Sequence, residues 1–179
     1  MRALPRKFIT LREGILLKKN LTFFIVCASA IIILDQITKS VITEKLFMYG
    51  THKVIDGFFN LVYVMNPGAA FGFLADMPEL FRYAFFIGIT LLAMALIIYY
   101  IVKSDNEPFL IILSLSLIFG GAVGNLIDRI RFGAVVDFLD FYIGSWHWPA
   151  FNVADSAITI GAFLMLWEII TRRRKTKDS

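Results

Sequence analysis

The sequence predicts an α-helical polytopic membrane protein with four transmembrane helices, a small extracytoplasmic β element, and both termini in the cytoplasm. Three observations carry that expectation. The chain is 58% hydrophobic and 18% charged over 179 residues, and its mean hydropathy of +0.72 is too apolar for a soluble domain of this size. Four apolar runs, at about 21–38, 83–102, 109–127 and 153–171, approach the roughly 20 residues a helix needs to cross the hydrocarbon core. Basic residues gather at the ends: Arg2, Arg6, Lys7, Arg12, Lys18 and Lys19 within residues 1–20, and Arg172, Arg173, Arg174, Lys175 and Lys177 within the 172–179 tail. Such clusters stay inside, so an even number of spans leaves both ends and the Lys103–Pro108 turn cytoplasmic. The segments at about 43–82 and 130–152 then face outward, and residues 1–179 form one membrane domain.

In the basic extension, Leu4, Phe8, Leu11 and Ile15 recur at helical spacing among cations. Two readings stay open there, a helix on the anionic inner leaflet or a disordered tail. The first span contains Ala28-Ser29-Ala30, which is similar to a signal-peptide cleavage site, but the apolar residues Ile31 to Leu34 continue past it and favour a retained helix. Cys27 follows Val26 where lipid-attachment signals need a small residue, so an inert buried thiol is expected. As a single cysteine it forms no intrachain disulfide. Asp35 and Lys39, one turn apart with the acid first, predict a structural ion pair.

Val54 to Val64 is rich in β-branched and aromatic residues around Asp56-Gly57, which predicts a hairpin. Asn66-Pro67-Gly68-Ala69-Ala70-Phe71-Gly72 is irregular, either backbone that approaches a ligand or a turn before a surface helix. In the third span, Gly120 and Gly124 predict close helix packing. Gly121, Asn125 and Asp128 share a helical face. An amide and a carboxylate at that depth demand compensation, and Arg129 is the expected partner of Asp128. Ala134 to Tyr142 reads as extended, which would hold Asp137 on rigid backbone at the depth of Asp155, near the start of the fourth helix.

Asp137 and Asp155 close the polar motifs VVD and FNVAD beside a span, and two carboxylates suffice to activate water. Other chemistries find no residues. His52 and His147 are isolated in sequence, no HExxH or Cys/His cluster exists, and no serine occupies a nucleophile elbow. No metal or cofactor is therefore expected, and the basic residues form no patch suited to nucleic acid.

DQITK (35–39), NPGAAFG (66–72), GGAVGNLIDR (120–129), VVDF (135–138) and FNVAD (151–155) together resemble, in order and spacing, the bacterial lipoprotein signal peptidase family, signal peptidase II. The resemblance covers all four spans. It implies an aspartic endopeptidase with Asp137 and Asp155 as its catalytic dyad. Asn66, Gly68, Gly121, Asn125, Asp128, Arg129 and Asn152 would bind substrate or support the site, with Asp35 and Lys39 structural. It further implies cleavage of prolipoproteins on the amino side of a diacylglyceryl-modified cysteine, with membrane lipids as the other partners. The setting would be the bacterial cytoplasmic (inner) membrane, with the site near the extracytoplasmic face. A monomer is expected. The reading from another class is a small transporter or proton channel using Asp35, Asp128, Asp137 and Asp155 as a relay, but these acids gather at one membrane face instead of lining a path across it.

Overall fold

A computed structural model describes residues 6–68, 74, 76–104 and 107–177, with side chains described between Lys19 and Arg173. Its helices are α1 (Arg6–Lys45), α2 (Glu79–Lys103), α3 (Phe109–Phe132) and α4 (Val153–Lys177). The strands are β1 (Thr51–Ile55), β2 (Phe59–Asn66), β3 (Val135–Ile143) and β4 (Trp146–His147). Four helical stretches are long and apolar enough to cross a membrane: Lys19–Lys45, Glu79–Lys103, Phe109–Phe132 and Val153–Arg173. The four-helix membrane architecture with a small antiparallel sheet is thus as the sequence predicts.

The helices outrun the apolar runs that announce them. α1 continues through Lys39 and Glu44 to Lys45, and α3 through Asp128, Arg129 and Arg131 to Phe132. Hydropathy drops where charge begins, whereas backbone hydrogen bonding persists wherever the polar side chains find partners. α1 begins at Arg6, so the basic extension continues the first span. Leu4 and the side chains of Phe8, Leu11 and Ile15 lie outside the described residues, as do Ala69 to Gly72.

α3 is the central helix. It packs on α1 and α4, and α2 leans on α3 and more lightly on α1 without forming a packing interface with α4. Near the basic ends the core is apolar, built from Phe24, Ile97, Ile101, Ile111, Ile112 and Leu115. The Phe23 and Phe109 rings meet there at 4.9 Å, and those of Phe24 and Phe119 at 5.2 Å. Toward the opposite end, Gly120 and Gly124 of α3 face α1, whereas Gly121 faces the Ala154 carbonyl and Ile158 of α4. A methyl at Gly124 would stand 2.5 Å from Oδ2 of Asp35, so the absent side chain makes room for a buried carboxylate.

The four strands lie in the order β1-β2-β3-β4, all pairings antiparallel. Gly57, with φ of 76°, turns the chain between β1 and β2. The β2–β3 register shifts between Leu61 and Val64, a bulge in which β2 carries one extra residue. Phe59 stacks on Phe141 at 4.7 Å, and Phe141 on Phe151 at 5.9 Å, continuing the sheet toward the start of α4. Gly133, left-handed at φ 71°, ends α3 with its N–H donated to the Arg129 carbonyl, and β3 follows at once. This abrupt helix-to-strand change places Asp137 beside the C-terminal end of α3 and the N-terminal end of α4.

Candidate active site

Asn152 is the residue on which the site turns. It precedes α4, and its Oδ1 accepts the N–H of Asp155 at 2.8 Å while Oδ2 of Asp155 accepts the N–H of Asn152 at 3.3 Å. This reciprocal cap satisfies two donors and fixes the Asp155 side chain at the helix start. The Nδ2 group of Asn152 donates to Oδ1 of Asp137 at 2.7 Å, and it also lies 3.2 Å from both Oδ1 of Asn125 and the Val136 carbonyl. One fully buried amide thereby relates the strand bearing Asp137 to the helix bearing Asp155.

The remaining carboxylate oxygens are similarly supplied. Oδ2 of Asp137 accepts Nδ2 of Asn66 at 2.9 Å, and Oδ1 of Asp155 accepts Nδ2 of Asn125 at 2.8 Å. Asp137 is 2% exposed. Burial, and then the neighbouring charge of Asp155, push its carboxyl up to about 7, against opposing effects of Asn66, Asn152 and Lys39.

Behind the dyad sits a second buried cluster. Lys39 spends its three hydrogens on Oδ2 of Asp35 (2.9 Å), Oδ2 of Asp128 (2.9 Å) and Oδ1 of Asn125 (3.0 Å). Asp35 also caps α4, its Oδ1 accepting the Ala154 N–H at 2.9 Å. Asp128 grips the start of β3 through the Val136 N–H at 3.0 Å. Here the sequence reading needs correction: Asp128 compensates Lys39, not its neighbour Arg129, because one residue along a helix points away from the next while α1 lies in contact. Arg129 instead lies over the Phe86 ring at 4.6 Å and donates to the Gly68 carbonyl at 3.3 Å, tying α2 and the Pro67-Gly68 bend to α3. Gly68 in turn donates its N–H to Oδ1 of Asn66 at 3.0 Å.

Two features escaped sequence reasoning. Nε2 of Gln36 reaches Oδ1 of Asp128, Oδ2 of Asp35 and the Gly124 carbonyl within 3.2 Å. Its place beside Asp35 in DQITK was the available signal. His147, read as isolated, has Nδ1 2.8 Å from Oδ1 of Asp140; strand pairing brings them together, and no local spacing encodes it.

Asp137 and Asp155 line a cavity of about 800 Å³ between α2, α3, α4 and the Trp148–Phe151 segment. Its walls are mainly apolar, with Phe86 and Ile89 from α2, Ile118 and Ala122 from α3, and Ile158 from α4. Two carboxylates lining an apolar cavity, each held by amides, can hold and exchange one proton beside a bound chain. Among the described residues, no group of three His, Cys, Asp or Glu side chains is arranged to hold a metal ion.

Known proteins match this arrangement. The family model described as Signal peptidase (SPase) II matches residues 27–171. A lipoprotein signal peptidase of Syntrophus aciditrophicus is 47% identical over 159 residues, covering 89% of this chain and 99% of its own. One from Geobacter metallireducens is 45% identical over 164 residues, covering 91% and 100%. A bacterial membrane enzyme solved by the in meso method at 2.3 Å resolution superimposes with a TM-score of 0.78 at 32% identity, covering 88% of this chain and 93% of that one. By sequence along nearly its whole length and by fold, the chain belongs to the signal peptidase II family of aspartic peptidases, multi-pass membrane hydrolases of lipoprotein processing.

Proposed function

We propose that the protein removes signal peptides from prolipoproteins by hydrolysing the bond on the amino side of a diacylglyceryl-modified cysteine, with water activated by Asp137 and Asp155. The observation that carries this reading is that the two carboxylates line one mainly apolar cavity whose walls belong to helices long and apolar enough to span the membrane. Because α2 and α4 form no packing interface, a lipid-bearing peptide has a lateral path between them from the bilayer. Basic residues at both termini favour the inside, which supports a sheet and dyad at the extracytoplasmic face of the bacterial cytoplasmic membrane. The enzyme acts as a monomer on this reading.

The dyad divides its labour by environment. Asp137, with its carboxyl near 7, holds the proton and hydrogen-bonds the scissile carbonyl oxygen. Asp155, supplied with donors by Asn125 and Asn152 at the favourable end of a helix dipole, takes a proton from water as its oxygen attacks the carbonyl carbon. Collapse of the tetrahedral species breaks the C–N bond and passes that proton to the departing cysteine nitrogen. Asn66, Asn125 and Asn152 orient the two acids, Gly121 admits α4 to close range, and Arg129 with Gly68 shapes the cavity rim. Asp35, Lys39 and Asp128 hold the surrounding backbone.

The test is cleavage of a synthetic diacylglyceryl-cysteine peptide by detergent-purified enzyme. Processing at the cysteine, unaffected by a chelator, is expected. An intact peptide alongside proton flux in vesicles would overturn the reading in favour of a relay.

A further inference from the structure

We propose that His147, acting through Asp140, is a positioning residue that fixes the 148–151 wall of the cavity and so governs how the lipid-bearing chain seats against the dyad. The proposal rests on the peptidase reading above for its substrate but not for its geometry. Asp140 is buried on β3, directly opposite Asn60 of β2. Its Oδ2 accepts Nδ2 of Asn60 at 2.9 Å, and its Oδ1 lies 2.8 Å from Nδ1 of His147. An ionised carboxylate only accepts, so Nδ1 carries the hydrogen. The imidazole also stacks on Tyr142, with centroids 4.9 Å apart and planes 7° from parallel. The phenol oxygen of Tyr142 accepts the Gly57 N–H at 2.8 Å, anchoring the stack in the first hairpin.

This anchorage matters because β4 is two residues long, and such a strand is not secured by its own ladder. Directly after it, the Trp148 N–H is donated to the Phe141 carbonyl at 2.8 Å. Trp148, Pro149, Ala150 and Phe151 then line the cavity. Phe151 is tied back to Leu139 in both directions, at 2.8 and 3.2 Å, and the next residue is Asn152. The wall is therefore a four-residue strap with Asn152 at one end and His147 at the other. Neither Asp140 nor His147 lines the cavity or touches the dyad. Releasing the His147 end would let the strap drift while Asn152 keeps the two aspartates in place. Binding would then suffer, with the chemical step unaltered.

The experiment compares His147→Phe, which keeps a ring for Tyr142 but lacks the donor, with His147→Asn, whose Nδ2 falls where Nδ1 was. His147→Ala supplies the same comparison with no ring to accommodate. Amide hydrogen exchange across 148–151 should accelerate about tenfold or more in the Phe and Ala variants and return to the wild-type rate in the Asn variant. On the lipidated peptide, KM should rise about fivefold to tenfold with kcat within about twofold, again restored by Asn. Unchanged exchange in the Phe and Ala variants, a fall in kcat at constant KM, or no rescue by Asn would overturn the proposal. A wild-type enzyme that leaves the peptide intact would refute the peptidase reading alone, because the exchange measurement still judges the strap.

Discussion

The two ends of α3 are both buried, and they are held by opposite chemistries. At the N-terminal end, Ile111, Ile112 and Leu115 pack on Phe24, Ile97 and Ile101, contacts that are non-directional and tolerate changes of shape. At the other end, Asn125 and Asp128 share Lys39 with Asp35, leaving no hydrogen of the ammonium unused, and Asn125 also accepts from Asn152. The first kind of core is graded, losing stability in proportion to the atoms removed. The second is stoichiometric, so deleting one member leaves a buried charge or donor with nothing to meet. On the proposed reading, catalysis belongs to the stoichiometric end, because aiming two carboxylates at one point requires directional contacts.

The sharpest way to break this comparison is to change the dyad itself. Asp137→Asn and Asp155→Asn should each lower cleavage of the lipidated peptide about a thousandfold or more. Each protein should still insert and fold, losing about 1–3 kcal/mol for the one amide contact that turns from donor–acceptor to donor–donor. Substantial turnover by either variant would remove that residue from the chemistry.

Lys39→Ala tests the supporting cluster. It strands Asp35 and Asp128, each at most 1% exposed, and should destabilise the protein by about 3–5 kcal/mol. Thermal unfolding in detergent reads this directly, and an unchanged midpoint would deny the polar end of α3 its stoichiometric character.

Titration sharpens the comparison further. The Asp137 carboxyl is raised from an ordinary 3.8 to about 7, so the folded state binds its proton more tightly than the unfolded chain. The stability linked to this group is fully present below 3.8 and is lost as pH rises through about 7. Cleavage should fall over the same upper range as the acid loses its proton, and Asp137→Asn should flatten the stability profile between those limits. A cleavage rate that stays level into strongly alkaline solution would leave one carboxylate with no essential proton.

The smallest effect belongs to the apolar end of α3. Ile112→Ala should cost about 2 kcal/mol while cleavage per folded molecule stays within about twofold, measured by activity normalised to correctly folded protein. A tenfold loss of specific activity would mean that the inner core communicates with the dyad.

The same contrast explains what could be read from the chain alone. Periodicity and hydropathy report packing, so the four spans and the first hairpin stood out. Asp137 and Asp155 were legible as candidates because carboxylates beside spans are conspicuous. Partner choice was less legible: the link from Asp128 to Lys39 crosses two helices, and Arg129 was the nearer cation in sequence only. Gln36 gave no signal beyond its neighbour Asp35, since an amide can face lipid headgroups or a buried cluster with equal ease. The Asp140–His147 contact depends on strand register, which the bulge in β2 helps to set and no spacing rule foretells.

Asn152 caps α4 and orients Asp137 with the same side chain, and the first turn of α4 is capped in addition by Asp35 from α1. The candidate site therefore joins the first membrane helix of this chain to its fourth. During synthesis, α4 leaves the ribosome after the other three helices and the sheet have been made. Until that helix is inserted and docked, the growing chain holds one aspartate without its counterpart and without the amide that aims it. On the proposed reading, the chain would acquire its activity only when α4 has docked and brought Asn152 and Asp155 to Asp137.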